Sequence, residues 1–383
     1  MTSPAREDAA VRAVVVEAFG AAPVLREMPD PSCPTDGAVV RVGACGVCRS
    51  DWHAWAGHDK TMAVPYVPGH EWAGEVVAVG ADVRRWAVGA RVTAPFVQAC
   101  GECPQCLEGE HQVCVDQRQP GFTDDGAFAE LVVAHRADVN LVALPDDLEM
   151  ITAASLGCRF ATAYRAVAGH GGIRPGWWVA VHGCGGVGLS AVMIAKALGA
   201  RVLAVDVADA ALLAARELGA DVVLDARSAG GSAEVVGTAV RDATGGGAHV
   251  SIDALGSQVT AVASVAGLRP HGRHVQVGLM TGADARTPLP LDRVLAEELT
   301  IVGSHGLAAH AYPELLRLVE TGALDPRRLV ARTIALDEAA DALVGMGAPA
   351  TVGGMTVIDL TRGSYGENDT IGGTEPPAEG DPA

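Results

Sequence analysis

The sequence predicts an α/β protein in two parts, a β-rich, barrel-like region followed by a doubly wound parallel sheet. Three observations lead there. The chain has 383 residues, more than one hydrophobic core usually serves. Hydrophobic residues make up 49% of it and glycines number 47, a composition of globular rather than disordered or fibrous proteins. The rhythm of apolar runs also changes once, near residue 176.

Before that point the runs are short and punctuated by Gly, Pro and Asp: "VRAVVVEAF", "AVVRVGAC", "EWAGEVVAVG", "ARVTAPF", "FAELVVAH" and "VNLVALP". Such spacing suggests a β-rich barrel. After it, strand and helix alternate in "WWVAVHG", "GLSAVMIAKALGA", "RVLAVD", "AALLAARELGA" and "DVVLDA". Further strand candidates are "HVSIDAL", "GRHVQVG" and "LTIVGSHG". This alternation is the mark of a doubly wound sheet. Helix candidates "AYPELLRLVETG" and "LDEAADALVGM" and a last strand candidate "GMTVIDL" follow.

Charge and targeting signals narrow the function. A net charge of -18, with Lys60 and Lys196 as the only lysines, argues against nucleic acid. Five of the acids lie after Arg362 with no base among them, and that Gly/Pro-rich tail reads as disordered. No basic segment leads into an apolar run at the N-terminus, and no apolar stretch is long enough to span a bilayer. A cytoplasmic protein with no membrane partner is expected. Its nine cysteines then read as thiols or metal ligands rather than disulfides.

"VAVHGCGGVGLSAVMIAKALGARVLAVD" carries Gly183-x-Gly185-x-x-Gly188 between a strand and a helix, and the next strand ends at Asp206, 18 residues on. That context makes it a Rossmann dinucleotide motif. Gly183 allows a tight turn, Gly185 lets the backbone approach a pyrophosphate, and Gly188 lets helix pack on strand. Gly186 joins them at the helix start, whose N-H groups face the phosphates. Asp206 can accept hydrogen bonds from the adenosine ribose hydroxyls and would repel a 2'-phosphate, so NAD is favoured over NADP. His182 and Cys184, inside the motif, read as packing residues.

"CGECPQCLEGEHQVC" places Cys100, Cys103, Cys106 and Cys114 in a C-x2-C-x2-C-x7-C pattern. Four thiolates so close suit a closed tetrahedral zinc site, with an iron-sulfur cluster the lesser alternative. His111, inside this loop, is expected to face solvent. "ACGVCRSDWHAW" adds Cys45 and Cys48. A redox pair would want a thioredoxin-like βαβ unit around it, and a closed zinc site would want two more ligands nearby. Neither is present.

"GVCRSDWH", "GHEWAGEVVAVG", the four-cysteine lobe, "GCRFATAYRA" and "GCGGVG" come in the order and approximate spacing of the zinc-dependent alcohol dehydrogenases of the medium-chain dehydrogenase/reductase family. The chain resembles that family from about residue 11 to 361. The resemblance implies a GroES-like catalytic domain (1–157, resumed at 307–362) around a Rossmann NAD-binding domain (158–306), with the acidic tail at 363–383. It further implies two zinc ions per chain, NAD as cofactor, a small alcohol or aldehyde as substrate, and a homodimer or homotetramer.

The same resemblance assigns roles. Cys48, His70 and Cys158 are implied as the three protein ligands of a catalytic zinc, which leaves Cys45 out. Ser50 resembles the hydroxyl that takes the alcohol proton, and His53 the outer end of the relay that releases it. Asp51 resembles the carboxylate that orients His70, Glu71 the acid behind the metal, and Arg49 a pyrophosphate contact. Thr162, Val187, Val277 and Gly278 correspond to residues around the nicotinamide, and Trp55 and Phe96 to aromatics of the alcohol pocket. Asp51 as a turn residue, Arg49 as a solvated charge and Trp55 as a core residue are the plainer readings. Two departures stand out: no lysine follows Asp206 in "DVADAALLA", and "TVGGMTV" lacks a C-terminal arginine frequent in relatives. Polyol dehydrogenases of the family commonly carry glutamate where Cys158 stands, so they are the second expectation; a silent binding protein on this fold is a third.

Overall fold

A computed structural model describes residues 10–228, 230–348 and 353–361. The tail expected to be disordered lies outside the described residues. Strands β1 (Ala10–Val15) and β2 (Val24–Pro29) form an antiparallel pair. β3 (Ala38–Val47), β4 (Glu71–Val79), β5 (Arg91–Thr93), β6 (Leu131–Ala134) and β7 (Val142–Ala143) build the first large sheet. β3 is its axis: it pairs antiparallel with β4 and β6, while β5 joins β4 to β7.

The second sheet is wholly parallel. Its strands are β8 (Trp178–His182), β9 (Arg201–Asp206), β10 (Val222–Asp225), β11 (Ala248–Asp253), β12 (Leu268–Gln276) and β13 (Thr300–Gly303). Their spatial order, β10-β9-β8-β11-β12-β13, is that of a dinucleotide-binding sheet, with β8 and β11 flanking the crevice where the winding reverses. Its central strands β8 and β9 are apolar on both faces, as a sheet covered on both sides requires. Val179, Val181, Val202, Ala204, Val250 and Ile252 enter one core, and the alternate residues Trp178, Ala180, Leu203 and Val205 enter another. The last strands, β14 (Val330–Ile334) and β15 (Met355–Asp359), return to the first sheet, β15 pairing antiparallel with β3.

A helical stretch from Met150 to His170 links the two sheets. Its first turns pack on β3, β4 and β15, and its later turns on the helix Gly186–Ala197. Twice it widens into π turns, at Leu156–Phe160 and Arg165–His170, and the second closes with Gly171 N–H on the Ala166 carbonyl at 2.8 Å. Such turns often mark functional positions; here the first contains Cys158. The division expected between residues 157 and 158 falls inside this unbroken stretch. Among the described residues no helix is long and apolar enough to cross a membrane.

Candidate metal centres and dinucleotide site

The register of two strands brings the first ligands together. Gly46 pairs with Glu71 across β3 and β4, so Cys48, just beyond the end of β3, and His70, just before the start of β4, leave the sheet side by side. Cys48 then precedes the short helix Arg49–Trp55. Asp51, in its first turn, is fully buried and accepts three hydrogen bonds: from Cys48 N–H at 3.0 Å, Gly69 N–H at 3.0 Å and His70 Nδ1 at 2.9 Å. The bond to Nδ1 turns Nε2 of His70 inward, where it is buried and has no partner among the described residues. Gly69 has φ +106, and a Cβ there would lie 2.6 Å from Phe128 N, so only glycine makes this turn.

Cys158 arrives from the first π turn. Gly157, before it, lies so close to Glu71 that a Cβ would stand 2.8 Å from Glu71 Cα, and its carbonyl accepts the Tyr312 hydroxyl at 2.9 Å. Ligand atoms of Cys48, His70, Glu71 and Cys158 all fall within 4.8 Å of one another. Hydrogen bonding from Cys158, helped by His70 and Arg159, holds the Cys48 thiol well below its ordinary pKa. Two sulfurs around a buried imidazole nitrogen that lacks a partner are a donor set suited to zinc.

Glu71 is not a bare carboxylate. The backbone N–H of Arg159 donates to Oε1 at 2.9 Å, its Nε contacts Oε1 and Oε2 at 2.9 Å each, and its Nη2 bonds Oε2 as well. Burial pushes the Glu71 carboxyl up, and the guanidinium works against that.

The second centre is local. Sulfurs of Cys100, Cys103, Cys106 and Cys114 also lie within 4.8 Å of one another, with separations of 3.4 Å for Cys103–Cys106 and 3.8 Å for Cys100–Cys106 and Cys103–Cys114. A tetrahedron of thiolates about 2.3 Å from an ion has edges of about 3.8 Å, whereas a disulfide needs about 2.05 Å. Backbone N–H groups of Cys100 and Cys103 point at sulfurs at 3.2 Å, as suits thiolates. Cys45 is buried in β3 and belongs to neither cluster.

The glycine motif has the geometry its spacing implies. Gly183 has φ +87, and a Cβ on Gly188 would stand 1.8 Å from the Gly183 carbonyl oxygen. Gly185 faces open space, at the start of the helix Gly186–Ala197. Asp206 ends β9 and accepts from Cys184 N–H at 2.6 Å, Val207 N–H at 2.7 Å and Ala208 N–H at 2.8 Å. Val277 and Gly278 follow β12 and donate to the Asp253 carbonyl at 3.0 and 2.8 Å. Thr162 is buried with its hydroxyl unpartnered among the described residues, and Val187 packs partly buried on the same core. His182 and Cys184 are buried.

Matches to known proteins agree with this geometry. Residues 34–146 match the alcohol dehydrogenase GroES-like domain and residues 186–321 the zinc-binding dehydrogenase family. An alcohol dehydrogenase of Geobacillus stearothermophilus is 35% identical over 296 residues, 77% of this chain and 84% of the relative. This chain belongs to the zinc-containing medium-chain alcohol dehydrogenase family. A member of other specificity, the D-arabitol-phosphate dehydrogenase of Enterococcus avium, is 31% identical over 80% of this chain and 86% of its own. A structure from Sinorhizobium meliloti 1021, described as a zinc-binding dehydrogenase bound to NADP, superposes with TM-score 0.81 at 29% identity, over 92% of this chain and all of that one. Membership makes the chain a zinc-dependent dehydrogenase that uses a nicotinamide dinucleotide.

The remaining neighbours of the two sites lie as follows. Arg49 is exposed; its guanidinium lies over the Trp52 ring at 5.1 Å and bonds the Met346 carbonyl. Trp55 packs with Val16, Ala54, Met62 and Tyr66, and its indole N–H donates to the Ala21 carbonyl at 2.6 Å, the plainer of its two readings. His111 is half-buried, its ring packed edge-on at 4.9 Å against the exposed His310. Phe96 lies 6.1 Å from the His70 ring and 5.1 Å from His305. Ser50 Oγ is 3.7 Å from Cys48 Sγ. His53 contacts His58 through their Nδ1 atoms at 2.8 Å; burial, then His58 and Arg49, lower its pKa.

Sequence reasoning missed Phe122, 5.2 Å from the His70 ring, and the Arg159 partner of Glu71. A lone charge in the apolar run "AASLGCRFATAY" was a signal for the second, since a buried guanidinium needs an anion. Phe122 sat in a polar loop with nothing to place it.

Proposed function

We propose that this chain is an NAD-dependent zinc alcohol dehydrogenase acting on primary, and to a lesser degree secondary, alcohols and the matching aldehydes and ketones. The observation that carries the reading is the unpartnered, buried His70 Nε2 facing Cys48 and Cys158, with Glu71 tied to Arg159. Three protein ligands leave an ion one place for substrate. When bound, zinc polarises an alcohol oxygen and lowers the pKa of its hydroxyl, and the nicotinamide accepts the hydride.

The protein's own part is position and proton transfer. Asp51 fixes the His70 ring through Nδ1. Ser50 takes the hydroxyl proton, and His53, kept neutral at physiological pH by its lowered pKa, passes it toward solvent. The helix at Gly186 and the open face of Gly185 hold the pyrophosphate. Asp206 presents a carboxylate to the ribose, which favours NAD. Cys100, Cys103, Cys106 and Cys114 hold a second zinc with no open place. We also propose a homodimer or homotetramer in the cytoplasm.

The second reading is a polyol dehydrogenase, favoured by the likeness to the Enterococcus enzyme. Phe96 and Phe122 against His70 make the metal's surroundings apolar, and extra hydroxyls buried there cost about 1–3 kcal/mol each. A panel of alcohols and polyols with NAD and NADP, beside metal analysis, decides. Faster turnover of sorbitol than of butanol or benzyl alcohol would overturn the alcohol assignment.

A further inference from the structure

Glu71 poses a problem for an open metal site. One of its oxygens lies within 4.8 Å of the ligand atoms of Cys48, His70 and Cys158. A buried carboxylate that close to a divalent cation is strongly attracted to it, and with four protein ligands the site would close like a structural one.

Arg159 opposes that attraction. Its backbone N–H, Nε and Nη2 engage both carboxylate oxygens, a paired arrangement that fixes direction as well as charge. Two glycines leave room for the pair. A Cβ on Gly46 would stand 2.3 Å from Glu71 Oε2 and 2.8 Å from Arg159 Nη2, and one on Gly186 would stand 2.4 Å from Arg159 Cδ. Gly186 belongs to the dinucleotide motif, so the guanidinium stem lies between the metal ligands and the phosphate loop.

We propose that Arg159 is a positioning residue that holds the Glu71 carboxylate off the catalytic metal and so keeps one coordination place open. Its contacts engage both oxygens of the Glu71 carboxylate, so Arg159 acts through Glu71. This rests on the reading of Cys48, His70 and Cys158 as metal ligands. Because the arginine directly follows Cys158, the π turn that delivers a ligand also delivers the restraint.

The test replaces the catalytic metal of the full-length protein with cobalt and titrates imidazole, following the visible absorption bands. Wild type should show a saturable shift as imidazole takes the open place. Arg159→Met, which keeps the stem but drops the charge, should bind imidazole at least about tenfold more weakly. Arg159→Met combined with Glu71→Gln should return to within about threefold of wild type, because an amide competes poorly for the metal. If Arg159→Met does not fold, Arg159→Lys is read in its place and should weaken imidazole about threefold. Unchanged imidazole affinity in the folded Arg159 variant, or a double variant no better than Arg159→Met, overturns the proposal. No imidazole shift in cobalt-loaded wild type would instead overturn the ligand reading beneath it.

Discussion

Asp51→Asn is the perturbation whose size follows most directly from the structure. The carboxylate is fully buried and serves Cys48 N–H, Gly69 N–H and His70 Nδ1. Asparagine keeps the shape and one oxygen, enough for Gly69 and His70, but turns its amide group toward Cys48 N–H, donor against donor. Losing one bond to a charged acceptor costs about 1.5–3 kcal/mol, and a buried donor left unmatched costs a similar amount. Taking about 3 kcal/mol in all, Tm should fall by roughly 4 °C for a chain of this length. The imidazole also loses its anionic partner, so zinc affinity at this centre should drop about 10- to 100-fold. Calorimetry gives the first quantity, and zinc retained against graded chelator gives the second. A variant that melts within about 2 °C of wild type and holds its zinc equally well would refute the role of Asp51.

The two metal centres should fail differently. Cys158→Ala should abolish turnover in a folded protein that keeps one zinc, whereas Cys103→Ala should chiefly lower Tm and lose the other zinc; equal effects on activity and melting would contradict this. Wild type should use NADP at least about tenfold less efficiently than NAD, because a 2'-phosphate about 4 Å from the Asp206 carboxylate meets repulsion of about 4 kcal/mol per charge at an effective dielectric near 20. Asp206→Gly should narrow the gap, and a higher wild-type kcat/KM with NADP would end the argument. For His53, burial, His58 and Arg49 lower the pKa, so its neutral form persists to lower pH than an unperturbed histidine's would. His53→Gln should slow alcohol oxidation most at low pH, where solvent bases are scarce, with partial rescue by added buffer; a pH profile matching wild type would remove His53 from the relay.

What could be read in the sequence had a local cause. Gly183, Gly185 and Gly188 announce their turn because they lie within six residues and Gly188 must pack on the Gly183 carbonyl, and the four-cysteine lobe closes on itself. The alternation of β8 and β9 between two cores is likewise written in their apolar runs. Arg159 and Phe122 depend instead on what the chain brings from far away: Glu71 is 88 residues from Arg159, and no periodicity announces such a meeting. Trp55 was read by its place in a matching motif, while its packing partners Val16, Met62 and Tyr66 come from segments of no clear pattern. The short strand β2, "VLREMP", is mostly exposed or half-buried, which leaves it without the apolar alternation that betrays its neighbours.

The two clusters also differ in how much chain must be gathered before they exist. Cys100 and Cys114 are 14 residues apart, whereas Cys48 and Cys158 are separated by 110. Closing the longer span costs about 2 kcal/mol more in chain entropy, and it requires the linking helix to have formed its π turn against β4. During synthesis the lobe can be complete while the segment carrying Cys158 is still inside the ribosome. The ligand spacing thus lets the lobe close from a single short stretch, whereas the working centre needs residues on both sides of the first sheet and the helix that follows it.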